Sequence, residues 1–257
     1  MNRDAIYAGE VMNLGPTEAS RRLVAGVTAR LTDVLGASPR DVRLSDDELF
    51  RRVGILRREL YLDRHWHDAI RDVLAPHGFG AYAFDPLRLR VVLSDGHDKP
   101  AAAPVYYPHR DTWYAHPQAL IAWWIPLDDL ADHETFVFYP ERFAQAVPND
   151  SEIFDYDDWV RDGWELKIGW QVPAERARYP HAAAGVDRGR AVGFACRSGD
   201  NVVFAGAQFH ATKPQSTGRT RFSLDFRVVD LDDHASGRGA PNVDNRSRGS
   251  ALRDYVR

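Results

Sequence analysis

Apolar residues recur at two different periods along this chain, and the change from one to the other divides it. From Pro16 to Leu35, PTEASRRLVAGVTARLTDVL places Leu23, Val27, Leu31 and Val34 three or four residues apart, the stripe of an amphipathic helix. SDDELFRRVGILRRELYLDRHWHDAIRDVL, Ser45 to Leu74, repeats the pattern, and Ser45 three residues before Glu48 reads as a capping box. PHGFG, Pro76 to Gly80, then supplies helix-breaking punctuation. The spacing predicts two or three helices over about 16–78.

Beyond Gly80 the period shortens to that of strands. AYAFD, LRLRVVLSD, ALIAWWIPL, ETFVFYP, AVGFACRSGDNVVFAG and RFSLDFRVVD are short, β-branched or aromatic, and bounded by Gly, Pro and Asp. Helices do not separate them regularly, so a parallel doubly wound sheet is not expected. The pattern is that of a mainly β, mainly antiparallel domain over about 80–230 behind an N-terminal helical layer. Residues 141–190 form a long mixed insertion, open to reading as a lid, a binding loop or a surface loop with one docked helix. Residues 231–257 are rich in Gly, Asp and Arg, and are expected to be poorly ordered or to end in a short docked helix. The chain, 1–257, reads as a single domain without internal repeats.

Composition narrows the class. With 257 residues, 44% of them hydrophobic, the chain can bury a substantial core. No stretch approaches the ~20 apolar residues of a membrane span, and the first thirty residues lack a secretory h-region, so a soluble cytoplasmic protein without a membrane partner is expected. A net charge of −4 argues against a nucleic-acid partner. Cys196 is the single cysteine, which excludes an intrachain disulfide and a thiolate cluster; any metal would be held by His, Asp or Glu. No GxGxxG follows a strand and no Walker-type loop occurs.

The candidate chemistry lies in YYPHRDTWYAHP, Tyr106 to Pro117. His109 and Asp111 stand two apart; in an extended segment both side chains point to one side. Surface decoration, a salt-bridged bend and a pair of metal ligands all remain open on that spacing alone. His210, at the end of the apolar run DNVVFAGAQFH, can complete two histidines and one carboxylate, the facial triad that leaves positions open on non-haem Fe(II). Eleven residues on, Arg221 and Ser223 stand two apart in RFS, a planar guanidinium fork and a hydroxyl suited to clamping a carboxylate.

With HRD, the distant His210 and RFS in this order, and WWIPLDD, FVFYPERF and SGDNVVFAGAQFHATKP between them, the chain resembles the iron(II)/2-oxoglutarate-dependent dioxygenases over roughly Tyr82 to Val229, and most closely the phytanoyl-CoA dioxygenase-like branch. The resemblance implies a double-stranded β-helix, the cupin-like jelly roll, with flanking N-terminal helices. It implies Fe(II) on His109, Asp111 and His210, 2-oxoglutarate with its distal carboxylate on Arg221 and Ser223, and O2 as co-substrate. It further implies release of succinate and CO2 as a small molecule of bacterial specialised metabolism is hydroxylated or otherwise oxidised. Because Asp111 is present, chloride has no vacant carboxylate position, which favours hydroxylation over halogenation. Gln118 is carried as a further 2-oxoglutarate contact, beside a surface-amide reading. Trp113, nearest the ligands, is a candidate pocket wall. Arg88, Arg90 and Arg227 are candidates to meet an acidic substrate, beside a salt-bridged reading of Arg227. The rival readings are a catalytically silent jelly roll, which need not keep the clamp at Arg221 and Ser223, and a metal-only cupin enzyme, which commonly uses more histidine ligands than this sequence aligns. A monomer or homodimer is expected.

Overall fold

In the computed structural model, which describes residues 1–162 and 179–257, an antiparallel sheet carries helices on one face and the chemistry-bearing residues on the other. The helical layer comprises α1 (Arg3–Tyr7), α2 (Glu18–Leu35), α3 (Asp46–Leu62) and α4 (Arg64–Leu74). Thr17 caps α2 by accepting from the Ser20 amide, and Gly36 closes it in the left-handed conformation at φ 73°. Ser45 caps α3 through the Glu48 amide, but the reciprocal half of the predicted capping box is absent. The Glu48 carboxylate is instead drawn to Arg51 and Arg52, whose charge-assisted bonds outcompete a backbone amide.

The large sheet consists of β1 (Met12–Pro16), β2 (Tyr82–Phe84), β3 (Arg88–Val92), β4 (Leu120–Pro126), β6 (Asp200–Ala205) and β8 (Arg221–Asp230). Its order is β1-β6-β4-β8-β2, with β3 also on β8, so β8 lies inside the sheet and β3 presents a free edge. The smaller sheet pairs β5 (Phe136–Phe138) with β7 (His210–Thr212), and bridges at His109 and Val192 extend it on either side. The two sheets are not joined into a closed barrel among the described residues. This is the expected mainly β, jelly-roll-like architecture with a helical layer.

Alternation along β8 explains why the sheet sits as it does. Phe222, Leu224, Phe226 and Val228 point to the helices and are essentially buried, each worth about 1.5–3 kcal/mol. Trp123 of β4 stacks on Phe226 at 5.7 Å. The intervening Arg221, Ser223, Asp225 and Arg227 therefore face away from the helices. Register sets Arg90 opposite Ser223, Arg88 opposite Asp225 and Ala122 opposite Arg227, so all of these share the polar face.

Three features depart from the patterning. The run AVGFACRSGDNVVFAG is strand only over Asp200–Ala205, its first half touching neighbours through single bridges at Val192 and Cys196. Strand β1, MNLGP, escapes the patterning because it carries neither alternation nor β-branching, and it pairs only at the sheet's edge. The tail is docked: a helix spans Leu231–Ala235, Val256 bridges Phe84, and Asp244 is buried against Arg110. Of the 141–190 insertion, open to a lid or a loop reading, residues 163–178 lie outside the described residues.

Candidate metal centre

Pro108 biases Tyr107 toward an extended conformation, which it adopts at φ −63°, ψ 128°. His109 and His210 then exchange both backbone hydrogen bonds, each amide donating to the other's carbonyl at 3.0 Å. They are thus directly opposed across an antiparallel pair, with their rings on one side and centroids 4.4 Å apart. Arg110 is extended, and Asp111 opens a turn of 3-10 helix held by Thr112 N–H donating to the Gly206 carbonyl at 3.3 Å. A Cβ on Gly206 would meet the Leu120 side chain at 2.4 Å, so glycine lets β6 end against β4 here. One ligand atom from each of His109, Asp111 and His210 falls within 4.8 Å of the others.

The protonation states suit a cation. His109 Nδ1 bonds the Tyr107 carbonyl at 2.7 Å and His210 Nδ1 bonds the Gln208 carbonyl at 2.9 Å. A carbonyl can only accept, so each Nδ1 carries its proton and each Nε2 keeps a free lone pair for metal. Burial, with the neighbouring His210, pushes the His109 imidazole down to about 3, and burial lowers His210 as well. Burial opposes ionisation of Asp111, but Arg227 and the two histidines outweigh it and hold the carboxyl well below the usual range. Two neutral imidazoles and one carboxylate fit a ferrous ion.

Arg110, between two of the ligands and only 1% exposed, spends every donor inward. Its Nε pairs with Asp244 at 3.0 Å, and its terminal nitrogens bond the carbonyls of Arg142, Phe143, Gln145 and Ala207. Asp244 also accepts from Trp113 Nε1 at 2.8 Å and the Val147 amide at 2.9 Å. The ligand hairpin is therefore anchored from beneath by a residue of the tail.

Behind the triad, Arg227 reaches Asp85 at 3.0 Å and both oxygens of Asp111 at 3.5 Å. Asp85 in turn takes two bonds from Arg88, at 3.0 and 3.2 Å; burial would raise its carboxyl, but Arg88 and Arg227 hold it down at about 2.

Arg221 is a contrasting case. Its Nη1 donates to the Glu134 carbonyl at 3.1 Å and its guanidinium lies 5.9 Å from the Trp124 ring, yet it meets no carboxylate among the described residues. Its Nε and the Ser223 hydroxyl are buried without partners. Burial pushes the guanidinium down to about 10. Such a group costs free energy unless an anion arrives, and a carboxylate is what a planar fork beside a hydroxyl fits. Trp124 packs edge-on against Phe136, and Phe136 against His210, so aromatic rings connect clamp and triad.

These observations bear on the remaining sequence candidates. Gln118 is exposed at the end of β4 near Val229, the opposite end from Ser223 and Arg221, so it does not join the clamp. Trp113 is fully buried in a satellite core with Phe209 and Tyr139, its indole committed to Asp244; it is core and not pocket wall. Arg88 and Arg227 are committed to Asp85 and Asp111 and have no free fork for a substrate. The reading missed Asp85, whose only sequence signal is an acid closing the apolar AYAFD, and Asp244, for which there was none.

The family model for phytanoyl-CoA dioxygenase (PhyH) matches residues 17–223. The chain belongs to the PhyH family. EvdO2 from Micromonospora carbonacea var. aurantiaca, solved in complex with 2-oxoglutarate, superposes on this PhyH chain with a TM-score of 0.51 at 14% identity, covering 89% of each chain. ThoJ, a non-heme monooxygenase solved in its apo form, gives a TM-score of 0.50 at 14% identity over 89% of this chain and 76% of its own. No curated protein sequence matches. These likenesses support the PhyH fold. Among the described residues no helix is long and apolar enough to cross a membrane.

Proposed function

We propose that this PhyH protein is an Fe(II)- and 2-oxoglutarate-dependent oxygenase that hydroxylates a small molecule. The observation that carries the reading is the pairing of a metal-ready triad with a buried guanidinium that meets no carboxylate, and a buried hydroxyl without a partner, among the described residues. His109, Asp111 and His210 hold the iron by two imidazole nitrogens and one carboxylate; Arg221 and Ser223 receive the distal carboxylate of 2-oxoglutarate. Bound together with O2, the pair supplies an oxidant able to attack an unactivated C–H bond, with release of succinate and CO2. The protein's own part is positional. Tyr107 and Gln208 carbonyls hold the imidazole tautomers, Arg227 orients the Asp111 carboxylate, and the rings of Trp124, Phe136 and Phe204 dry the wall beside His210.

The test is anaerobic. Adding Fe(II) and then 2-oxoglutarate to metal-free protein is expected to produce the weak visible charge-transfer band of the chelate. Iron binding without a band would replace the reading by a metal-only cupin, and failure to bind iron would leave the three ligands as ordinary polar residues.

A further inference from the structure

On the polar face of the sheet the fixed charges do not balance. Four guanidiniums on this face, those of Arg88, Arg90, Arg221 and Arg227, and a fifth, that of Arg57, reaching its edge from α3, accompany three carboxylates, those of Asp85, Asp111 and Asp225. Fe(II) and doubly charged 2-oxoglutarate cancel one another, so a surplus of two positive charges persists in the loaded site.

The arginines differ in what they have left to give. Arg88 and Arg227 are consumed by Asp85 and Asp111, and Arg221 belongs to the clamp. Arg90, in register with Ser223, is held by two bonds to Asp225 at 2.7 and 2.8 Å. Arg57 is unlike them. It projects from α3, in the helical layer, to the free edge of β3, where its Nε donates to the Leu89 carbonyl at 3.0 Å. Phe50 flanks the guanidinium at 5.8 Å. Its two terminal nitrogens meet no acceptor among the described residues, and Arg90 is the next residue along β3.

The hydroxyl of Tyr179 takes no partner among the described residues, and the fields of Arg57, Arg88 and Arg90 all act on it. Tyr179 precedes Pro180, whose carbonyl accepts from the Tyr114 hydroxyl at 3.2 Å, and Tyr114 stands edge-on to His109 at 5.6 Å. A short path of contacts therefore runs from His109 to the backbone beside Tyr179. Burial and the like charge of Arg90 push the Arg57 guanidinium down to about 10, the direction expected of a half-buried cation still lacking its counter-ion.

We propose that the substrate carries an anionic group, a carboxylate or a phosphate, that docks on Arg57 beside Arg90 at the open edge of β3, where Arg90 stands opposite Ser223. This rests on the oxygenase reading and adds to it a substrate class. It gives the N-terminal helical layer a part in selecting substrate: the oxidised C–H bond lies toward the triad, and the anion is held at the rim.

The experiment uses nickel(II)-loaded, 2-oxoglutarate-saturated protein, titrated calorimetrically with phenyl phosphate, phenylacetate and uncharged benzyl alcohol. At least one anion is expected to bind about tenfold or more tighter than the alcohol, and the better of the two identifies phosphate or carboxylate. Arg57→Gln is expected to remove that advantage, about 1.4 kcal/mol or more, while affinity for 2-oxoglutarate stays unchanged. Should Arg57→Gln fail to fold, Arg57→Lys carries the test, with a loss of roughly threefold or more because the planar fork is gone. Anions that bind no better than benzyl alcohol, or that bind the folded variant as well as the parent, overturn the proposal alone. Failure of 2-oxoglutarate itself to bind overturns the oxygenase reading and this proposal together.

Discussion

Arg221 and Arg227 stand on the same strand and the same face, both nearly inaccessible, and the protein treats them in opposite ways. Arg227 is given Asp85 and Asp111 within 3.5 Å and Asp225 at 3.9 Å, and although burial opposes its charge, the three carboxylates raise its affinity for a proton far above the ordinary value. Arg221 is given a backbone carbonyl and an aromatic face, and burial pulls it down to about 10. Residue type and strand parity are identical, so what separates a brace from a receptor is the partner left out. A guanidinium surrounded by carboxylates braces them, whereas under the proposed function one that meets no carboxylate would receive that of 2-oxoglutarate.

The contrast can be broken most forcefully at Arg227. Arg227→Met leaves Asp85 and Asp111 short of their shared cation, and removing one partner of a buried ion pair costs about 3–5 kcal/mol. A large drop in unfolding free energy is expected in urea titrations of the metal-free protein, together with a ~10–100-fold loss of metal affinity. An unchanged midpoint would show that Arg227 braces nothing.

Arg221→Met is expected to do the reverse. It removes a buried charge without a counter-ion, so the metal-free protein should not lose stability. Affinity for 2-oxoglutarate should fall about a hundredfold, the ~3 kcal/mol of a charge-assisted bond. The thermal shift that 2-oxoglutarate gives the nickel-loaded parent should vanish in this variant. If the metal-free variant unfolds as readily as Arg227→Met, the two arginines are alike and the distinction fails.

Ser223→Ala sharpens the same point with the smallest effect. Its hydroxyl is buried and unpartnered, so losing it should leave stability level or slightly improved, while 2-oxoglutarate binding weakens by about 1 kcal/mol. Equilibrium dialysis against labelled 2-oxoglutarate would show it.

Much of this was legible in the chain because the signals are local. Alternation in RFSLDFRVVD sorts residues to opposite faces without further information. His109 with Asp111 and Arg221 with Ser223 lie close enough in sequence that strand parity alone sets their relation. The long-range join of His109 to His210 depended on resemblance and order, and the paired backbone bonds supply its physical cause. Charge partners were not legible. Arg88, Arg90, Arg221 and Arg227 look equivalent as letters, and which of them is free depends on Asp85, Asp225 and Asp111 arriving from other strands. Trp113 misled because nearness to ligands along the chain does not specify which way a buried indole turns. Gln118 misled because a strand of seven residues carries its first and last neighbours to opposite ends of the sheet.

The carboxylate of Asp244 gives the site an order of assembly. All three metal ligands precede it in the chain, yet the arginine between two of them finds its counter-charge only when the tail folds back. A chain synthesised only as far as His210 holds His109, Asp111 and His210 but still lacks the carboxylate that pairs with the buried arginine between two of them.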